Sequence, residues 1–173
     1  TGTTTSGGDV TIHGDSDLNG TGDAMLSGTI TGGGGTIDLR VVNTVLYATV
    51  YSNGWNLQLI ARENLTVNGA VGPDGGKIQL TATSSDPGLM HISATGSLDA
   101  RMGGGAGNVS LGNADGSIIN DGSIQSGTNG WVHLLANGAG STITQNGTLE
   151  AGDGQPANCH PQCRGRRQSG GAS

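Results

Sequence analysis

Phenylalanine is absent from this chain of 173 residues, and two tryptophans and two tyrosines are its whole aromatic complement. Apolar residues make up 32% of it, too little for the aromatic-anchored core of a compact domain this long. Charge is scarce as well. A fraction of 12% Asp, Glu, Lys and Arg argues against a self-repelling disordered chain, although 35 glycines would otherwise suggest one. Lys77 is the single lysine and the formal net charge is −6, so the clustered basic face that nucleic-acid binding requires is missing. No apolar run is long enough to span a membrane as a helix. Glutamate occurs only as Glu63 and Glu150, and no Ser, His and Asp spacing suggests a nucleophile elbow or triad. These absences predict a non-enzyme without a cofactor.

What the chain does have is recurrence. A glycine followed by an apolar, polar, apolar triplet appears as Gly8-Asp9-Val10-Thr11-Ile12, Gly35-Thr36-Ile37-Asp38-Leu39, Gly54-Trp55-Asn56-Leu57-Gln58-Leu59 (one residue longer), Gly76-Lys77-Ile78-Gln79-Leu80, Gly107-Asn108-Val109-Ser110-Leu111 and Gly130-Trp131-Val132-His133-Leu134. The first apolar positions advance by 27, 20, 21, 31 and 23 residues, a period that marks a solenoid with one coil per repeat. Between these copies a glycine and a small residue lead into one aliphatic side chain, at Gly28-Thr29-Ile30, Gly69-Ala70-Val71, Gly96-Ser97-Leu98, Gly116-Ser117-Ile118, Gly122-Ser123-Ile124 and Gly147-Thr148-Leu149. Alternation over so few residues describes a short strand with one face buried, and no stretch sustains a helical period. Glycine is expected to supply positive-φ corners between the faces of a coil.

The fold predicted is an all-β, right-handed parallel β-helix of about five to six coils, spanning residues 1–151. Such a coil needs few inward aliphatics, among them Ile78, Leu80, Ile92 and Leu98. A single coil cannot offset its own ordering entropy, so neighbours must share one core. From residue 152 to 173 the repeat gives way to a basic tail that carries Cys159, Cys163, Arg164, Arg166 and Arg167. The Thr-rich start shows no secretory leader and reads as a processed or excised chain.

Several residues are candidate sites. Cys159 and Cys163 are separated by three residues; a tight disulfide fits an extracellular repeat, and a metal site, free thiols or a link between chains are the alternatives. A structural zinc site would lack its second ligand pair. Asp15, Asp17, Asn19 and Gly20 match the first half of a calcium loop, but Leu26 occupies the position of the bidentate glutamate, so the match is weak. Trp55 and Trp131 directly follow a repeat's leading glycine, and alternation with inward Val132 sends Trp131 outward, where it could stack on a sugar or a neighbouring subunit. The most apolar stretch, residues 41–51, holds Tyr47 and Tyr51; it reads as ordinary inward strand faces, or as an exposed patch where a second molecule docks. His13, His91 and His133 read as surface polar residues. Threonines 11, 29, 36 and 81 are not expected to form the regular outward array that ice binding would need. Sequons begin at Asn19, Asn64, Asn108 and Asn146.

The passage from Gly107 through Asn113-Ala114-Asp115-Gly116-Ser117-Ile118-Ile119-Asn120-Asp121-Gly122-Ser123-Ile124, continued by Trp131-Val132-His133-Leu134-Leu135-Ala136 and Ile143-Thr144-Gln145-Asn146-Gly147-Thr148-Leu149-Glu150-Ala151, resembles the repeat region of filamentous-haemagglutinin-type adhesins of two-partner secretion. The resemblance covers about residues 7 to 151 and is one of style. It implies an extracellular or cell-surface right-handed β-helix for adhesion or surface structure, with no catalytic residues to carry over. Members of that family are far longer, and the Asn-Pro-Asn-Gly signature of their secretion domain is absent here. The expectation is a fragment, or a small subunit that stacks head-to-tail with copies of itself into a homo-oligomer or filament, its tail arginines meeting a neighbour's acidic body. A module binding host or surface glycans, and less favourably a polysaccharide-degrading β-helix enzyme, are the alternatives.

Overall fold

The computed structural model describes residues 2–6, 10–13, 24–32, 37–47, 49–51, 56–72, 76–83, 88–101, 107–152, 157–160 and 163–165, with the backbone alone at 2–6, 10–13, 24, 32, 37–42, 157–160 and 163–165. In chain order the strands begin β1 (Gly2–Ser6), β2 (Val10–His13), β3 (Ala24–Leu26), β4 (Gly28–Gly32), β5 (Ile37–Leu46), β6 (Thr49–Tyr51) and β7 (Leu57–Val67). They continue with β8 (Ala70–Gly72), β9 (Ile78–Ala82), β10 (Gly88–Ile92), β11 (Ser97–Asp99), β12 (Val109–Asn113) and β13 (Gly116–Asn120). The last are β14 (Ser123–Gln125), β15 (Val132–Ala136), β16 (Ile143–Gln145), β17 (Thr148–Glu150), β18 (Ala157–His160) and β19 (Cys163–Gly165). No helix occurs among the described residues, and so none long and apolar enough to cross a membrane.

Every strand pairing is parallel, each strand matching its counterpart one repeat away. The result is a parallel β-solenoid. One face is the seven-stranded sheet β1-β4-β6-β8-β11-β14-β17; the twelve-stranded sheet wraps the other two, because β5 and β7 are long enough to run across the corner between them. The first of those faces holds β2, β9, β12, β15, β18 and the leading halves of β5 and β7. The second holds β3, β10, β13, β16, β19 and the trailing halves.

The glycine-led triplets predicted from the sequence stack in one register, Val10 on Ile37, then Leu57, Ile78, Val109 and Val132. From Leu57 onward both apolar members of each triplet are buried. The interior column of the seven-stranded face is Ile30, Val50, Val71, Leu98, Ile124 and Leu149. Each fully buried aliphatic contributes roughly 1.5–3 kcal/mol, and each is covered by the turns on either side of it. Residues 43–47 and 49–51 are ordinary coil: Thr44, Leu46 and Val50 point inward, while Tyr47 and Tyr51 are exposed. The β18 and β19 ladders extend those of β15 and β16 beyond residue 151.

Two expectations need correcting. Gly116-Ser117-Ile118 does not belong with the shorter motif, since Ile118 stacks between Met90 and Ile143 on the second face of the twelve-stranded sheet. The glycines that recur at the corners are also not there for positive φ, which among the described glycines is confined to Gly28, Gly138 and Gly140. They are there for close approach. A Cβ at Gly122 would overlap the carbonyl oxygen of Gly96 below it, and one at Gly147 would overlap that of Gly122.

Candidate interaction surfaces

Because alternate side chains point outward, each face presents columns of like position, and these are the surfaces a partner would meet. On the first face the outward column is Gln58, Gln79, Ser110 and His133. Trp131, expected to face outward, alternates with the buried Val132 and is half-buried two residues before His133, its ring edge-on to His133 with centroids 6.1 Å apart. Its backbone N–H donates to Oδ1 of Asn108 one turn below, 2.9 Å away. Beside Ser110 the surface is open: a Cβ at Gly112 would meet nothing within 4 Å, and its register neighbours Thr81 and Leu135 form the walls.

The seven-stranded face carries a hydroxyl column, Thr29 and Thr49, then Ala70, Ser97, Ser123 and Thr148. Of the threonines considered from sequence, Thr29 lies in this column and Thr81 on another face. The signal was the small second residue of the glycine-led motif, which is a hydroxyl residue in nearly every copy. Next to it Asp99, Gln125 and Glu150 follow in register, with Gln125 Nε2 donating to Glu150 Oε2 at 2.7 Å. Arg101 grips Asp99 through Nε to Oδ1 at 2.9 Å and Nη2 to Oδ2 at 2.7 Å. These hydrogen bonds hold the Asp99 carboxyl below its usual range, with partial burial opposing them.

His91, read as a plain surface residue, has its Nε2 2.8 Å from Oδ2 of Asp121 in the turn above. Asn146 donates from Nδ2 to Oδ1 of the same carboxylate at 2.8 Å. Led by the Asn146 hydrogen bond, these contacts lower the Asp121 pKa. Three sequon asparagines are likewise engaged between turns. Besides Asn146 and Asn108, Asn64 donates to Asn43 Oδ1 and accepts from the Leu89 N–H, both at 2.8 Å.

Exposed apolar area gathers in the N-terminal part, at Met25 (73% exposed), Tyr47 (53%) and Tyr51 (39%). Met25 was missed from sequence; it stands on the outward position opposite Val45. Trp55, Arg166, Arg167 and the calcium candidates Asp15, Asp17 and Asn19 lie outside the described residues. The backbones of Cys159, Cys163 and Arg164 stand opposite Leu134, Ile143 and Thr144, so the cysteines sit on strands of two different faces, and their side chains lie outside the described structure. Among the described residues no group of three His, Cys, Asp or Glu side chains could hold a metal ion.

β17 pairs with β14 on one edge, and no described strand pairs with its other edge, whereas β18 and β19 extend the two neighbouring faces. Leu149 is consequently half-buried, unlike Ile124 and Leu98 beneath it. No family model, curated protein or solved structure matches this chain.

Proposed function

We propose that this chain is an extracellular structural or adhesive β-solenoid of the filamentous-haemagglutinin type, right-handed, which associates with copies of itself into a surface fibre. The observation that carries the reading is that no described strand pairs with the outer edge of β17, above a half-buried Leu149. A parallel ladder that stops at an unpaired edge offers N–H and C=O groups to another chain, and covering Leu149 would continue the interior column in which it stands. The resemblance of residues 107–151 to adhesin repeats supports the cell-surface setting. The exposed Tyr47, Tyr51 and Met25 offer apolar lateral contacts, and Arg164, Arg166 and Arg167 supply positive charge for a neighbour's acidic body. Sedimentation velocity of the full chain over a wide concentration range, with negative-stain microscopy, tests the proposal. Rods lengthening with concentration are expected; a monodisperse monomer throughout would overturn it.

A second reading has its own observation. Trp131 and His133 form an edge-to-face aromatic pair standing over Asn108 and Ser110 of the turn below, a combination suited to a sugar ring stacked on one side and hydrogen-bonded on the other. Binding on a glycan array that disappears in Trp131→Ala would favour it, and an array without signal would remove it.

A further inference from the structure

We propose that the contact between copies is a strand addition in which β1 of one copy lies parallel on the open edge of β17 of the next, with Gly2 over Gly147, Thr3 over Thr148, Thr4 over Leu149 and Thr5 over Glu150. This rests on the self-association reading and specifies its partner surface. Three observations set the register.

The first is position. β1 is the end strand of the same seven-stranded face that β17 terminates at the other extreme. At the β17 end that face is one strand behind its neighbours, since β18 and β19 have no counterpart over β17 among the described residues. At the opposite end the same face is one strand ahead, because β1 precedes β2 and β3, the end strands of the other two faces. The two steps are complementary. A copy set on top along the same axis places β1 in the missing position while its β2 and β3 follow over β18 and β19, so all three ladders continue.

The second is alignment. Gly2, Thr3, Thr4 and Thr5 lie opposite Gly28, Thr29, Ile30 and Thr31, and the same columns lead up the face to Thr148, Leu149 and Glu150. Thr4 thus falls at the register position of the interior column that ends at the half-buried Leu149.

The third is the glycine requirement. In the C-terminal turns the residue leading this strand approaches the carbonyl below so closely that a Cβ cannot fit, at Gly122 over Gly96 and at Gly147 over Gly122. The residue stacked on Gly147 should therefore also be glycine, and the strand that would arrive there begins with Gly2.

The experiment uses the full chain. Gly2→Val puts a branched side chain against the Gly147 carbonyl of the next copy, while within one copy no described strand lies beneath β1. Its thermal unfolding should match that of the parent, and the concentration needed for assembly should rise by about tenfold or more. A second arm needs no clash. Chains carrying Thr5→Cys and chains carrying Glu150→Cys, mixed and oxidised, should give a cross-linked 5–150 peptide by mass spectrometry, several-fold more abundant than the 3–150 peptide from Thr3→Cys chains. If the parent assembles but Gly2→Val assembles equally well and the cross-links show no preference, this register is wrong and self-association stands. If the parent does not assemble, both fall.

Discussion

Asn120 donates from Nδ2 to Oε1 of Gln145 across 3.1 Å, joining two buried amides in successive turns of the solenoid. Below them the same interior column is Ile92, Val67 and Leu46, so the corner changes from aliphatic to amide toward the C-terminal end. Asn120 also donates to the Thr148 carbonyl at 3.0 Å and accepts from the Gly122 N–H at 3.1 Å, and Gln145 donates to the Gly147 carbonyl at 2.9 Å. The amides satisfy backbone groups of a tight corner, in addition to the backbone hydrogen bonds that join it to the neighbouring turns. No described buried side-chain nitrogen or oxygen lacks a partner.

Asn120→Leu strands Gln145 together with the Gly122 and Thr148 backbone groups, and should cost about 1–3 kcal/mol. Adding Gln145→Leu removes one of the stranded groups, so the double variant should lose less than the two single losses summed. Urea unfolding of the four proteins measures this; strict additivity would deny the coupling.

Gly122→Ala and Gly112→Ala should differ in sign. The first drives a methyl into the Gly96 carbonyl and should destabilise by about 1–3 kcal/mol or more. The second enters open space in the middle of a strand, and relief of glycine's excess chain entropy should stabilise by about 0.5–1 kcal/mol. Melting temperatures of both variants decide it, and a loss at Gly112 equal to that at Gly122 would contradict the close-approach argument.

Leu98→Ala empties a site closed above and below and should cost about 2–5 kcal/mol. Leu149→Ala, at the half-buried end of the same column, should cost clearly less in dilute solution, since no described strand lies over it. Denaturant titrations at low protein concentration would show an equal loss if the edge of β17 were covered within a single chain.

Asp99 and Asp121 both have folded-state pKa values lowered from 3.8. A lowered folded pKa means that the unfolded chain takes up protons first as pH falls. The stabilisation is therefore complete above 3.8 and disappears as pH drops through the folded values. Asp99→Asn should flatten the fall in stability below about pH 4 relative to the parent. Parallel acid-titration curves for the two proteins would refute the assignment to Asp99.

The repeat was legible because a solenoid writes its architecture locally. Ile78, Val109 and Val132 each follow a glycine in a similar short phrase, and stacking such phrases in register is the only way so few aliphatics can share a core. Ile118 was misassigned because its phrase, glycine, serine, isoleucine, is identical in form to that of Ile124, and only the strand partners distinguish their faces. Asn120 and Gln145 gave no hint of being interior, since an amide side chain ordinarily reads as outward.

By itself the sequence determined that the chain is built of short parallel rungs with an aliphatic interior: period-two alternation chooses the strand, and low apolar content forbids any core not shared between neighbours. The tertiary structure decided what depends on the turn below. It set the glycines against a carbonyl of the preceding rung, placed His91 beside Asp121 and Asn120 beneath Gln145, and left Leu149 half-buried at an edge that no described strand covers. Those relationships join residues about one rung apart, a distance over which side-chain chemistry carries no local signal and only the stacking register brings the groups together.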